Sequence, residues 1–306
     1  MKVTKLLLEI KPYKKSKKSL LLKKKIGSGS HASVYKQNSY AIKIIHGHKL
    51  YNYFQSGKIR KAVSESPTIR SEVEITRHLS DLRQEHNVTL FLKMHDEYIA
   101  HDMENDRPVH VIVMDSGACT LAQYVFHKSP VFECSKLDCK RLVHLIAQIV
   151  FGMHSAHKKI GYIHRDFHCS NIVVEHTEST HIEYKEYDCK VPSEQVILHV
   201  IDHGCAKCTI KSVTQVATTI HSNPMIPLEL QDSERGDVFN FLCTLMTFSL
   251  GVHHYKVKKH TKDLMQKNIL LFEQLAQKDV YSSLLLQILT GDYKYESIIE
   301  LLKSVV

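Results

Sequence analysis

YIHRDFHCSNIVV, residues 162–174, poses the question that decides how this chain is read. An acid, Asp166, is followed five positions later by an amide, Asn171, and the run closes on an apolar stretch suited to a strand. On a loop, that pair has a chemical use: an acid can take the proton of a hydroxyl nucleophile, and an amide oxygen is a hard ligand for magnesium. A second acid, Asp202, follows another apolar run in VIDHGCAK (200–207) and supplies a further oxygen ligand.

The chain around this stretch has 306 residues, 43% of them apolar, enough to bury a large core as one large domain or two lobes. MKVTKLLLEIKPY at the start holds one three-Leu run between lysines, too short for a secretory signal, and no window reaches the roughly 18 apolar residues of a membrane span. A soluble, intracellular chain is expected. The eight cysteines are dispersed, which implies reduced thiols, and the CAKC pair at Cys205 and Cys208 has no second pair to complete a zinc site. Net charge is +9, with eight lysines between Lys11 and Lys25. Residues 1–19 read first as a solvated basic arm, able to attract an anionic partner, an import receptor or a membrane surface. No helix-turn-helix, RNP-type strand or zinc-finger spacing points to direct nucleic-acid readout.

Periodicity divides the chain. From Leu20 to Ile45 the runs SLLLKKKIG, ASVYK and YAIKII predict a three-stranded antiparallel meander. A helix follows over Thr68 to Gln84, with Ile69, Val73, Ile75, Leu79 and Leu82 on its apolar stripe, and then two strands in TLFLKMHDEYIA and VHVIVMD. From Leu121 onward helical patterns dominate: LDCKRLVHLIAQIVFGMHSAHKK, FNFLCTLMTFSL, LLFEQLAQ, SSLLLQIL and SIIELLKSV, with NIVV and ILHVID too short for helices. The expected fold class is α+β: a small β-rich lobe with one helix at 20–115, a larger, mostly helical lobe at 116–306, and a ligand cleft between them.

Two features of the β-rich part bear on phosphate. In IGSGSHASVY, Gly27 and Gly29 occupy a turn where missing Cβ atoms let backbone N–H groups approach phosphate oxygens. Lys43 stands alone in the apolar strand YAIKII, and burying an ammonium demands an anion or an escape to solvent. Glu72 and Glu74 on the following helix are both candidates, and being two apart they point to different faces.

Gly-rich turn, strand Lys, helix Glu, HRD with Asn five positions beyond the Asp, and D-x-G in this order resemble the signature of the protein kinases over almost the whole chain. DVFNFLCTL resembles their DVWSLG helix, and LLLQILTGDYKYESIIELLKS their last two helices. Within the superfamily the chain is most similar to the haspin-like serine/threonine kinases. His168 in HRDFHCSN, the stretch SEVEITRHLS, and EHTESTHIEYKEYDCKVPSEQ in the place of a β-hairpin insertion carry that resemblance. It implies a bilobal kinase-like fold, with ATP and Mg2+ as cofactors. Asp166 would be the catalytic base, Asn171 and Asp202 the magnesium ligands, and Lys43 the phosphate clamp held by Glu72. Val34, Ala41 and Val173 would enclose adenine, Met114 would be the gatekeeper, and Asp115 to Gly117 the hinge.

The sequence departs from the pattern in places. Ala32 stands for the third Gly of the loop, His203 for the Phe of DFG, and Leu242 for the Gly of DVWSLG; IPLEL separates Pro227 from Glu229, and only Lys294 could stand in for the Arg that pairs with that Glu. These concern anchoring of the activation segment and leave the phosphate chemistry intact, so that segment is expected to be held by packing and not switched by phosphorylation. The implied function is phosphoryl transfer from ATP to Ser/Thr of a protein substrate. The other readings are a pseudokinase scaffold and a small-molecule kinase. The basic charge favours an acidic or nucleic-acid-associated substrate, a monomer in nucleus or cytoplasm is expected, and the compact chain would suit a kinase of a large DNA virus.

Overall fold

Alternating side chains on neighbouring strands build the first half of the molecule. On β5 (Tyr40–Ile45), Ile42 and Ile44 face one side while Ala41, Lys43 and Ile45 face the other. β7 (Arg107–Asp115) lies antiparallel with Ile45 opposite His110, Lys43 opposite Ile112 and Ala41 opposite Met114, so the two alternations coincide. One face gathers Leu22, Tyr35, Ile42, Ile44, Ala100, Val109 and Val111 into a core. The other packs Ile45 and Ile112 against Ile69 and Val73 of α1 (Pro67–His86).

The computed structural model describes residues 6–10, 18–22, 24–28, 32–46, 67–102, 107–124, 139–210, 213–216, 230, 232–249, 270, 273 and 279–306. It is an α+β protein with several antiparallel sheets, and it divides into two compact units, Met1–Asp81 with Leu92–Ser116 and Leu82–Phe91 with Gly117–Val306. Among the described residues no helix is long and apolar enough to cross a membrane.

The first unit is one seven-stranded sheet. With β1 (Leu6–Ile10), β2 (Lys18–Leu22), β3 (Lys24–Ser28), β4 (Ala32–Gln37) and β6 (Met94–Asp102), its order is β2-β1-β6-β7-β5-β4-β3. This corrects two expectations. Of residues 1–19, those described, 6–10 and 18–19, lie in the sheet and not on an arm outside it: β1 pairs with β2 from Leu6 opposite Leu22 to Ile10 opposite Lys18, and with β6 from Leu8 opposite Asp102 to Ile10 opposite Ala100. Nor is SLLLKKKIG one strand. It holds β2 and β3, which occupy opposite edges, because Leu22 joins the core with Tyr35 of β4 and the sheet curls until β2 meets β4. Lys14, Lys15 and Lys17 lie outside the described residues.

The first unit ends at Ser116, and Leu82–Phe91 belong with the second unit. Phe91 bridges to Val200, whose N–H donates to the Leu90 carbonyl at 2.8 Å, and Leu90 packs on Gly152. The apolar run TLFL is therefore a docked connection, and β6 starts only at Met94.

The second unit is organised on α3 (Cys139–Ile160), buried on every side from Leu142 to Ala156. Basic residues in its last turn suit the helix dipole, and Gly161 closes it at φ +58, a left-handed conformation that favours glycine. Around it lie a three-stranded sheet of β8 (Cys119–Thr120), β9 (Ile172–His176) and β12 (Val196–Val200), a hairpin of β10 (His181–Tyr184) and β11 (Cys189–Pro192), and a second hairpin of β13 (Lys207–Ile210) and β14 (Val213–Val216). Among the described residues the further α-helices of this unit include α2 (Leu121–Gln123), α4 (Glu234–Ser249), α5 (Val280–Thr290) and α6 (Tyr295–Leu302). α5 is capped by Asp279, whose carboxylate accepts the Ser282 N–H at 2.9 Å. Of LLFEQLAQ, Leu270 and Glu273 are described, both helical.

Candidate active site

Lys43 is the polar exception on the helix-covered face of β5, 8% exposed. α1 presents Ile69 and Val73 to this face, and Glu72, adjacent to Val73, turns inward with them. Its Oε1 lies 2.5 Å from Lys43 Nζ. Glu74, two residues on and about 200° around the helix, is 42% exposed and takes Arg77 at 2.8 Å. Helix phase therefore selects between the two carboxylates as expected.

Val34 lies opposite Lys43 across β4 and β5, and Ala41 opposite Met114 across β5 and β7, so all four share one face. Gly27 pairs with Val34 beyond a bulge, and a Cβ there would meet Val34 Cβ at 3.7 Å, an ordinary contact. Space does not demand glycine at 27, and Gly29 lies outside the described residues. Asp115 ends β7 opposite Tyr40. Its N–H donates to the Lys93 carbonyl at 3.0 Å, and its Oδ1 takes His95 Nε2 at 2.7 Å.

In the second unit, Gly117 is required by contact. A Cβ there would come within 2.6 Å of Val173 Cβ, because Ala118 N–H donates to the Val174 carbonyl at 2.7 Å and draws the chain against β9.

The loop of the opening stretch is fixed from beneath by Asp237 in the first turn of α4. Asp237 is buried, and its two oxygens accept the N–H groups of His164 at 2.6 Å and Arg165 at 2.8 Å. Burial pushes this carboxyl up to about 7, against the pull of those two donors. Arg165 sits at φ +68, a conformation costly for an arginine; an ion pair to Asp232 (3.1 Å) and a bond to the Cys205 carbonyl (3.3 Å) hold its side chain.

His164 is fully buried, and burial lowers its pKa. Its neutral ring donates from Nε2 to the Ile201 carbonyl (2.9 Å) and accepts the Asp166 N–H at Nδ1 (3.3 Å). One tautomer thus orients Asp166. His168 caps the turn at Cys169–Asn171, taking the Ser170 N–H on Nδ1 at 3.2 Å, which leaves Nε2 as the donor 3.7 Å from Asp166 Oδ2. That interaction is the main cause holding Asp166 below the usual carboxylate range, against the opposing effect of burial.

Asn171 is 8% exposed. Its Nδ2 donates to the Asp166 carbonyl at 2.9 Å, which turns Oδ1 the other way, and its own carbonyl accepts the Ile201 N–H at 2.9 Å. That bond continues the β9–β12 register by one pair and brings Asp202, at φ +63, beside Asn171. One amide oxygen and one carboxylate fit a hard cation that keeps waters and phosphate oxygens as its other ligands. Among the described residues no three His, Cys, Asp or Glu side chains gather into a metal site of their own.

His203 is buried among the rings of Phe91, Tyr162 and His164, and its Nδ1 is 2.9 Å from the Tyr162 hydroxyl. Burial holds Tyr162 well above its ordinary pKa, so the hydroxyl stays protonated and the polar ring has a polar partner. The roles of Tyr162 and Asp237 were not read from the sequence, although an acid opening an apolar helix was a visible signal. Of the CAKC pair, Cys208 is buried and burial pushes its thiol up to about 12, which disfavours the reactive thiolate there. Pro227 and Glu229 lie outside the described residues, and Lys294 is the N-cap residue of α6.

No protein-family model matches this sequence, and no curated protein matches it.

Proposed function

We propose that the chain is a phosphotransferase of the protein-kinase type, bilobal in fold, moving the terminal phosphoryl group of ATP to a Ser or Thr hydroxyl of a protein substrate. The observation that carries the reading is the buried Lys43–Glu72 pair. Withdrawing two charges from water costs several kcal/mol per ion, and an apolar pair of similar volume would serve the core as well or better. A reason beyond stability is needed, and an ammonium extended on a fixed carboxylate is suited to phosphate oxygens.

In the second unit, Asp166 is kept ionised and oriented, ready to accept the hydroxyl proton. Asn171 and Asp202 would hold Mg2+, which when bound neutralises charge on the phosphates. Ala41, Val34, Met114 and Val173 would enclose adenine, with the backbone at Asp115 to Gly117 at its edge. The net charge of +9 favours an acidic or nucleic-acid-associated substrate in nucleus or cytoplasm.

The test is phosphate incorporation into a generic protein substrate, with Asp202→Ala as control, alongside melting with MgATP and with ATP plus chelator. The expected result is transfer that the substitution abolishes, and a melting temperature raised more by MgATP than by chelated ATP. Binding without transfer would instead support a scaffold that only holds nucleotide, the reading suggested by His203. Transfer to small molecules alone would place the enzyme outside the protein kinases.

A further inference from the structure

Glu72 is not the only link between α1 and the sheet. One turn further along, Arg77 donates from Nη2 to Glu97 Oε1 on β6, and Glu97 Oε2 lies 3.3 Å from His110 Nε2 on β7. The register explains why these meet. Glu97 is opposite Ile112, as Lys43 is on the other side, and His110 is opposite Ile45, so Lys43, Glu97 and His110 share the face that α1 covers. His110 is 9% exposed, and its Nδ1 has no hydrogen-bond partner.

We propose that Arg77, Glu97 and His110 form a second clasp that sets the rotation of α1 and thereby holds Glu72 against Lys43. They are positioning residues, and their consequence for phosphoryl transfer rests on the function proposed above. Helix geometry gives the reason. Arg77 is five residues from Glu72, about 140° around the axis, so its pair restrains α1 at a different angle from Lys43–Glu72, alongside the Ser80 hydroxyl that accepts the Met94 N–H at 3.0 Å further along the helix. Ile69 and Val73 do not supply this restraint, because apolar contacts are non-directional. Stability does not explain the clasp either. The Arg77 and Glu97 side chains are 38% and 32% exposed, and ion pairs so exposed contribute little to folding.

The test reads the Lys43 amine directly, by its rate of acylation with an amine-reactive ester followed by peptide mass spectrometry, with the half-buried Lys36 as internal reference. Arg77→Met and Glu97→Gln are each expected to raise labelling of Lys43 several-fold over Lys36 with the melting temperature nearly unchanged. Arg77→Lys should restore slow labelling. Glu74→Gln, which removes the outward partner of Arg77, should leave it slow. In the transfer assay the two disrupting variants should lose roughly tenfold in kcat, the scale expected when a catalytic group is displaced, with little change in KM for ATP. Labelling of Lys43 that stays slow in both variants would overturn the proposal. Faster labelling in a protein that transfers no phosphate would leave the clasp standing and remove the kinase reading.

Discussion

Replacing Asp166 by Asn keeps the side chain's size and removes its basicity. Transfer should fall by roughly 10²–10⁴, the usual contribution of a positioned base, while the MgATP-induced melting shift survives. Lys43→Met should weaken both, since the ammonium is assigned to phosphate and its loss strands Glu72 in the core. The pH profile carries a further check. The folded pKa of Asp166 is depressed, so the ionised form persists as pH falls through the ordinary aspartate value of 3.8 and is lost only below it. An acid limb arising from Asp166 must then lie below pH 3.8, and a rate that halves between pH 5 and 7 would belong to another group. His203→Phe would put an apolar ring in place of the imidazole, yet the Tyr162 hydroxyl would be left buried without its partner. The expected cost is about 1–3 kcal/mol in urea denaturation, whereas a stabilised variant would show that the hydrogen bond is dispensable.

Elements placed by sequence alone succeed or fail according to where their partners lie. β5 and β7 were legible because apolar and polar positions alternate within each run, and α1 because its stripe keeps the helical period. β1 was missed: its LLLEI run was weighed only as a signal segment, and its partner β6 lies some ninety residues away. Phe91 and Leu90 were read as the start of a strand because a continuous apolar run carries no phase. In the candidate site, Asp166, Asn171, Asp202 and Lys43 were visible by type and spacing, while the Tyr162–His203 contact depends on packing between residues 41 apart. The placement of 82–91 is testable in α3, where a Cβ at Gly152 would meet the Leu90 Cβ at 2.6 Å. Gly152→Ala should therefore cost about 1–3 kcal/mol by overpacking, against the small gain an alanine normally brings to a helix interior.

For the molecule as a whole, the N-terminal hairpin is the element with the widest reach. Deleting residues 1–10 should do more than shorten a tail: it removes β1 and opens the edge of β6, and an unpaired strand edge invites association with other chains. Lower solubility and an earlier melting transition are the expected outcomes, and a truncated protein as stable and monodisperse as the full chain would contradict the pairing. The same feature also orders events in time. Residues 6–10 leave the ribosome before the strand that receives them, Met94–Asp102, which emerges only after the intervening segments, α1 among them, have been synthesised. β1 and β2 can meet at once, as a local hairpin. Until β6 arrives, that hairpin must wait with one edge unclaimed, so a strand synthesised well before its partner is seated only after it, and the interval leaves an open edge where a nascent chain is prone to mispair.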